Sequence, residues 1–408
     1  MVKKRIFIKL LILLLLVYLG SGVVTAKGLR VWAGNEQERS WMEKAAKRYE
    51  KETGVKVELE VICELEQLEK LRLEGIANNK IDVVGWPHDD IGKAVSEGLL
   101  TPIENYISRE YIRDNFTDKS IRALTYQQDI YGLPYSYEAL ALVYNKDRYD
   151  KIPETMEEFI EVAKSKTNRK QQQYGFLFYH SNLYYAAPFL LGHGGYVFGK
   201  NETGGYNIND IGFNSPGAIK GAKLIKRFKD EGLVPKNIQK KQVVNLFAEG
   251  KAGAILVGPW RRNRFKKAGI DFAVSPIPKL SNGQYPKPFV GVKGFYIPQK
   301  SDNKELAADF IKFITNEKWS MKHYEMVGAI VPHEKVINSP KVKNDKLSRG
   351  FLIQAQQGVL MPNILQMSLV WNPVNKTLDF LLDGRISAEK AMAMTNKMIT
   401  RNIQLISN

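Results

Sequence analysis

Between Ser40 and Val61 the hydrophobic period changes once, and that change narrows what the chain can fold into. Trp41, Met42, Ala45, Ala46 and Tyr49 recur at helical spacing in SWMEKAAKRYEKETG, with Gly54 placed to close the helix. Directly afterwards Val55, Val57, Leu59 and Val61 alternate with Lys56, Glu58 and Glu60, the pattern of a half-buried strand. Residues 29–32, 81–84 and 254–257 are short apolar runs with turn signals nearby, as interior strands of an α/β sheet require. In SDNKELAADFIKFIT, Ser301 and Asp302 are capping candidates, Glu305 stands three beyond Asp302, and Leu306, Phe310, Phe313 and Ile314 line one helical face. A last helix is expected from Ser387 onward, with Ala391, Met394, Met398 and Ile399 as its buried stripe. No period of 20–50 residues repeats and no low-complexity linker interrupts the chain, so the pattern reads as α/β without beads.

The chain's 408 residues, 44% apolar and 11% aromatic, suffice for two or three domains at roughly 150 residues each and exclude a disordered tail. MVKKRIFIKLLILLLLVYLGSGVVTAKG has a basic start, an apolar stretch over 10–19 and small residues ending at Ala26, the layout of a signal peptide cut after Ala26. The rival reading is an uncleaved anchor, although 10–26 is short against about 20 residues for a spanning helix. The formal charge is +17, and Lys3, Lys4, Arg5 and Lys9 account for four of it, leaving about +13 on the rest. In an exported protein such a surface meets wall polymers or lipid headgroups rather than nucleic acid. The single cysteine, Cys63, permits no intrachain disulfide and is expected to be a buried thiol; it also lies far from the signal segment, so no lipid-attachment cysteine follows the apolar run.

Evidence for catalysis is thin. The five histidines, His88, His180, His193, His323 and His333, show no H-E-x-x-H and no ligand-like spacing to cysteine, so neither a metal nor a cofactor is expected. Gly192-His193-Gly194-Gly195 is not followed by G-K-[ST] and reads as a turn; no G-x-S-x-G elbow occurs. Asp89-Asp90 and Glu64/Glu66 could be imagined as glycosidase carboxylates, yet nothing in the spacing sets the carboxyl separation that chemistry needs.

Eight stretches taken together resemble the maltose- and maltodextrin-binding proteins, the sugar receptors of ATP-binding-cassette importers. They are VWAGNEQERSWMEKAAKRYEKETGVKV, DVVGWPHDDIGKAVSEGLL, YSYEALALVYNKD, LGHGGYVFGK, LVGPW, PKPFVGV, DNKELAADFI and MPNILQMSLVW, in the family's order and at nearly its spacing. The resemblance spans essentially the whole chain after Ala26. It implies a two-lobed periplasmic-binding-protein fold, type II-like, with a hinge and a ligand cleft between α/β lobes. The lobes expected are 27–137 plus 293–340 and 138–292 plus 341–408, with crossings near Glu138, 290–292 and 339–345. It also implies a monomer that hands an oligosaccharide to the transmembrane subunits of an importer, at the cell surface or in the periplasm.

The same resemblance places the family's sugar-stacking aromatics on Trp86, Tyr184, Tyr185, Trp260 and Trp371. The chemistry agrees: a pyranose ring has apolar C–H faces for a flat aromatic and a polar rim for hydrogen-bonding groups. Its acidic contacts fall on Glu36, Asp89 and Glu138, with Glu66 a softer match, and Met361 occupies a further contact position. Taken alone, Glu36 is simply an acid at a helix N-terminus. Trp32 and Trp41 match no site position and belong to the core, and Tyr144 is structural. Four polar positions depart from the family: Gln37 and Asp90 replace a Lys and an Arg, Asn182 replaces a Glu, and Lys240 stands near a rim Tyr. A glycan is therefore better supported than maltose itself, with a neutral α-glucan favoured over a uronate or sulfated sugar.

The basic run after Trp260, RRNRFKK, is the remaining ambiguity. Arg261 or Arg262 could pair bidentately with an anionic sugar; the favoured reading leaves them solvated on the outside of a helix. Two rivals from other classes stand beside the receptor: a glycan-active enzyme using Asp89 and Glu138 as acid and base, and an adhesin that binds anionic polymers through its surface charge.

Overall fold

The computed structural model describes residues 28–76 and 80–407, so the expected signal segment lies outside the described residues. The first elements follow the sequence period. Strand β1 (Gly28–Ala33) pairs in parallel with β2 (Lys56–Val61), and helix α1 (Glu36–Thr53) crosses between them. Asn35 caps α1 by accepting from the amides of Gln37 and Glu38, and Gly54 closes it at φ 72°. In β2 the valines and Leu59 are half-buried while Lys56, Glu58 and Glu60 face solvent, as the alternation requires. Trp32 and Trp41 are both fully buried, in keeping with their assignment to the core.

Two sheets organise the rest. The first is built around a ten-residue strand, β10 (Phe289–Pro298), every residue of which is buried. Antiparallel to it run β3 (Val84–Pro87), β4 (Leu100–Thr101) and β5 (Gly132–Ala139), and β11 (Val359–Leu360) joins in parallel. The second sheet has four strands in the order β9 (Phe272–Ser275), β6 (Ala141–Asn145), β8 (Ala252–Val257), β7 (Tyr174–Leu177). The chain therefore passes from one sheet to the other at Leu140, between β5 and β6. Continuous apolar strands such as AILV need helices on both faces, and the amphipathic segments supply them.

Some local expectations give way. The helix after Ser301 begins at Lys304 with Asn303 as an unbonded cap. Ser301 instead turns inward, donating to Asp82 at 2.6 Å, and its oxygen accepts from the Asn303 amide. A buried partner outcompeted the cap. In the terminal helix Ala388–Ser407, Ala391 and Ile399 are buried, while Met394 and Met398 are only half-buried; Met392 and Thr395 complete the stripe. Cys63 is exposed, because the turn after β2 carries it past the sheet edge.

The basic run is divided. Arg264, Lys266 and Lys267 face solvent as expected, but Arg262 is buried. Its guanidinium donates to Asp345 Oδ2 at 2.6 Å and to Ser348 Oγ at 2.8 Å, and Tyr324 donates to the same carboxylate at 2.7 Å. The neighbouring Asn263 amide reaches the carbonyls of Met326 and Val327. A carboxylate that serves Arg262, Tyr324 and Ser348 outbids solvent for the guanidinium, and these bonds hold Asp345 well below its usual range, to about 2. Removing the cation strands part of this network. Arg262→Met is expected to lower unfolding stability by about 2–3 kcal/mol, less than a fully buried pair because Asp345 keeps two hydroxyl partners; the shift of the urea midpoint measures it.

Candidate functional site

Five chain segments carry the candidate residues. Trp86 lies in β3, whose last residue, Pro87, leads directly into the one-turn helix His88–Asp90. Glu138 lies near the end of β5, opposite Gly291 of β10. Tyr184 and Tyr185 open the helix Leu183–Gly192, Trp260 sits in the turn after β8, and Trp371 begins the helix Trp371–Leu382. Strand ends are where open α/β sheets leave room for a ligand.

The turn after β8 shows why its sequence is Gly-Pro-Trp. The indole of Trp260 folds back across Gly258 so closely that a Cβ there would fall 1.9 Å from the ring. Only glycine permits that packing. Tyr184 stands beside it, ring centroids 6.5 Å apart, and Tyr185 lies 5.8 Å from Tyr184. Asn182 caps the helix that carries both tyrosines, accepting from the Tyr184 amide at 3.1 Å. The departure from Glu at this position thus has a local use, because an Asn side chain is short enough to cap.

Across from these rings stand the carboxylates. Trp371 hydrogen-bonds to Asp89, and burial together with neighbouring Asp90 and Glu138 pushes the Asp89 carboxyl well above its usual range. Glu138 is also raised by burial, against the pull of Lys293. The charges of Glu138 and Asp89 reach Tyr184, whose hydroxyl is raised chiefly by burial. Among the described residues, three buried polar atoms on these segments have no hydrogen-bond partner: Trp86 Nε1, Tyr184 Oη and Arg261 Nε. Orphaned groups of this kind are costly unless something supplied from outside satisfies them.

Not every candidate joins the group. Glu36 is exposed at the first position of α1, where an acid suits the dipole. Glu66 is exposed as well, its amide closing a turn on the Cys63 carbonyl. Trp86 is 1% exposed and packs on Tyr296 with centroids 4.8 Å apart, so it offers no free face for stacking. Met361 is buried with its Cε 3.3 Å from where a Gly291 Cβ would lie, filling the space that glycine leaves beside Glu138. The Met361 carbonyl is held by His88: the Val292 amide donates to His88 Nδ1 at 3.0 Å, which puts the proton on Nε2 to donate to Met361 O at 2.9 Å.

Sequence reasoning missed the groups that support Glu138. Lys293 Nζ lies 2.9 Å from Glu138 Oε1, 3.0 Å from Glu64 Oε1 and 3.2 Å from Glu38 Oε1, on a side chain only 4% exposed. Glu38, two positions beyond Glu36, is the α1 acid that turns inward. A Lys inside the otherwise apolar run FVGVKGFYIP was the available signal, since an unpaired charge there would be prohibitive. Arg261 is half-buried and, with Lys240, brings positive charge towards Tyr185 and Glu138.

Residues 44–349 match the family described as bacterial extracellular solute-binding protein. The chain belongs to this family. Its relatives are binding proteins rather than enzymes, which removes the Asp89/Glu138 acid–base reading. The galactooligosaccharide-binding protein of Bacillus subtilis (strain 168) is 36% identical over 380 residues, 91% of this chain and 89% of the relative. The maltooligosaccharide ABC transporter solute-binding lipoprotein of Streptococcus pneumoniae (strain ATCC BAA-255 / R6) is 32% identical over 380 residues, 91% and 88% of the two chains. Among solved structures, a cyclo/maltodextrin-binding protein complexed with maltotetraose superposes with a TM-score of 0.82 at 34% identity, covering 92% of this chain and 97% of that one. The Thermus thermophilus maltotriose binding protein bound with maltotriose gives 0.85 at 27% identity, covering 92% and 100%. The two-lobed α/β fold of extracellular solute-binding proteins is therefore this chain's fold, as the resemblance implied.

Two outcomes follow from the local geometry. Gly258→Ala must push the Trp260 indole off the turn, so the variant is expected to show changed tryptophan fluorescence at a nearly unchanged melting temperature. Burial holds His88 near 4, against an ordinary value of about 6.5 when unfolded. Its contribution to stability is complete above pH 6.5 and is lost as pH falls towards 4, because the unfolded chain takes up a proton that the folded one refuses. Urea midpoints measured at pH 7 and pH 5 should fall in the parent and fall less in His88→Gln.

Proposed function

We propose that this solute-binding protein captures a neutral oligosaccharide, with maltodextrin as the ligand, and delivers it to the transmembrane subunits of an ABC importer. The observation that carries the reading is the set of orphaned donors on the two walls, Trp86 Nε1, Tyr184 Oη and Arg261 Nε, beside aromatic rings and buried carboxylates. A sugar brings acceptors and hydroxyls to such donors while its ring faces cover Trp260, Tyr184 and Trp371. Asp89 and Glu138 accept from hydroxyls on the opposite wall. Tyr185 and Met361 shape the floor; Glu36 and Glu66 stand outside this arrangement, where a rim contact with a long chain is the role left to them.

The lobe division in this reading is the one the resemblance implies, 27–137 plus 293–340 and 138–292 plus 341–408. It is supported by the change of sheet at Leu140 and by the network around Asp345, where the third crossing falls. A ligand bridging both lobes stabilises the closed state by its differential affinity for it. The protein works as an exported monomer at the cell surface or in the periplasm, with no nucleic-acid partner. Relatives named for maltooligosaccharides support the α-glucan, and the galactooligosaccharide-binding relative supplies the alternative to be tested.

Calorimetric titration of the chain from Lys27 with maltotriose, a β-galactotriose and an oligouronate of equal length tests the reading. Micromolar or tighter binding of maltotriose is expected, with Trp260→Ala and Trp371→Ala each weakening it by about 1–3 kcal/mol. Preference for the galactoside would replace the ligand, and unchanged binding by Trp260→Ala would remove that wall from the site.

A further inference from the structure

Lys293 occupies the middle of a strand whose ten residues are all buried, two positions from Gly291, so it emerges on the face where Glu138 lies opposite. The pairing shifts register between Lys293 and Gly294, leaving Tyr135 as the extra residue on β5. Such a bulge re-aims the side chains beside it. The ammonium is thereby placed among Glu138, Glu64 and Glu38, three carboxylates for one cation. For stability alone, an apolar residue here would serve as well or better, since a buried ion pair seldom repays its desolvation. The arrangement makes physical sense if one of the carboxylates is needed in a fixed pose for something else, and Glu138 is the member facing Tyr184 and Asp89 of the candidate site.

We propose that Lys293 is a positioning residue for ligand binding: by engaging Glu138 Oε1 from beneath, it holds the carboxylate so that Oε2 meets the sugar's hydroxyls. This rests on the oligosaccharide reading above. Glu64 and Glu38 complete the ammonium's coordination and keep it from swinging into the cleft. The residues facing the group are Lys293, Glu64 and Glu38 from below, Asp89 from the one-turn helix, Tyr184 and Tyr185 from the helix opposite, and Lys240 from the rim; Tyr135 and His323 face Lys293 itself.

The test is the pH profile of affinity for maltotriose between pH 6 and 9 in Lys293→Met and the parent. Without the cation, three neighbouring buried carboxylates cannot all ionise, so Glu138 accepts a proton at higher pH than in the parent. The parent profile is expected to be flat. The variant should bind about tenfold more weakly for each pH unit below its raised value and recover towards pH 9. If Lys293→Met does not fold, Lys293→Met/Glu38→Gln, with one buried charge fewer, takes its place in the same comparison. A variant that binds like the parent, or weakly without pH dependence, overturns the positioning role and leaves the receptor reading intact. A parent that binds no maltotriose or galactotriose overturns both.

Discussion

The ion cluster around Lys293 ties together three segments of the chain and the long strand β10. One ammonium joins the first turn of α1 through Glu38, the turn after β2 through Glu64, and the end of β5 through Glu138. Apolar packing between such segments would be tolerant of small rotations. A charge-assisted contact is not tolerant: an ångström of slip leaves a buried charge unpaired. The cluster therefore fixes the position of the cleft wall relative to the long strand β10, and every candidate contact on that wall inherits its precision from it.

A second constraint acts on the other side. The Arg262–Asp345 pair binds the short helix that follows Trp260 to the segment around Asp345, and Tyr324 and Asn263 draw the Glu317–Val327 helix into the same knot. Trp260 is two residues from Arg262, so a shift of the Asp345 segment would be felt at the indole without an intervening flexible loop. His88 does the same for Met361, bridging the Val292 amide to the Met361 carbonyl. Both devices place polar bonds behind the aromatic surfaces, so the stacking residues are held by groups that do not themselves meet the ligand.

This division explains what the sequence did and did not reveal. Periodicity found β1, α1, β2 and the terminal helix, because those elements depend on one buried face and local caps, which are local properties. The aromatic positions could be read because eight motifs in register carry them. Lys293, Glu38 and Arg262 could not be placed that way. Whether a charged side chain faces water or a partner depends on residues 83 or 255 positions away, as with Arg262 and Asp345 or Lys293 and Glu38. The choice of Glu36 over Glu38 shows the limit sharply: both lie in the first turn of one helix, and only the rotation of that helix against β10 decides which turns inward. Cys63 fails for a related reason, since the burial expected of a thiol assumes a central position and this one sits in an edge turn.

The same logic bears on the four polar departures from the maltodextrin-binding pattern. Asn182 is engaged as a helix cap, so its change removes an acid from the cleft without disturbing the tyrosines it supports. Asp90 adds a half-buried carboxyl beside Asp89, where the family's Arg would have neutralised it; burial raises Asp90, and Asp90 in turn helps to raise Asp89. Lys240 and Arg261 bring positive charge to the opposite rim. On the proposed reading, the charges around the cleft thus differ from the family's pattern while its aromatic positions are kept. Stacking is indifferent to which hydroxyl a charged group meets, whereas hydrogen bonding to a particular hydroxyl is not. On the proposed reading, such changes leave the stacking surfaces in place and alter only the polar groups that would meet particular hydroxyls.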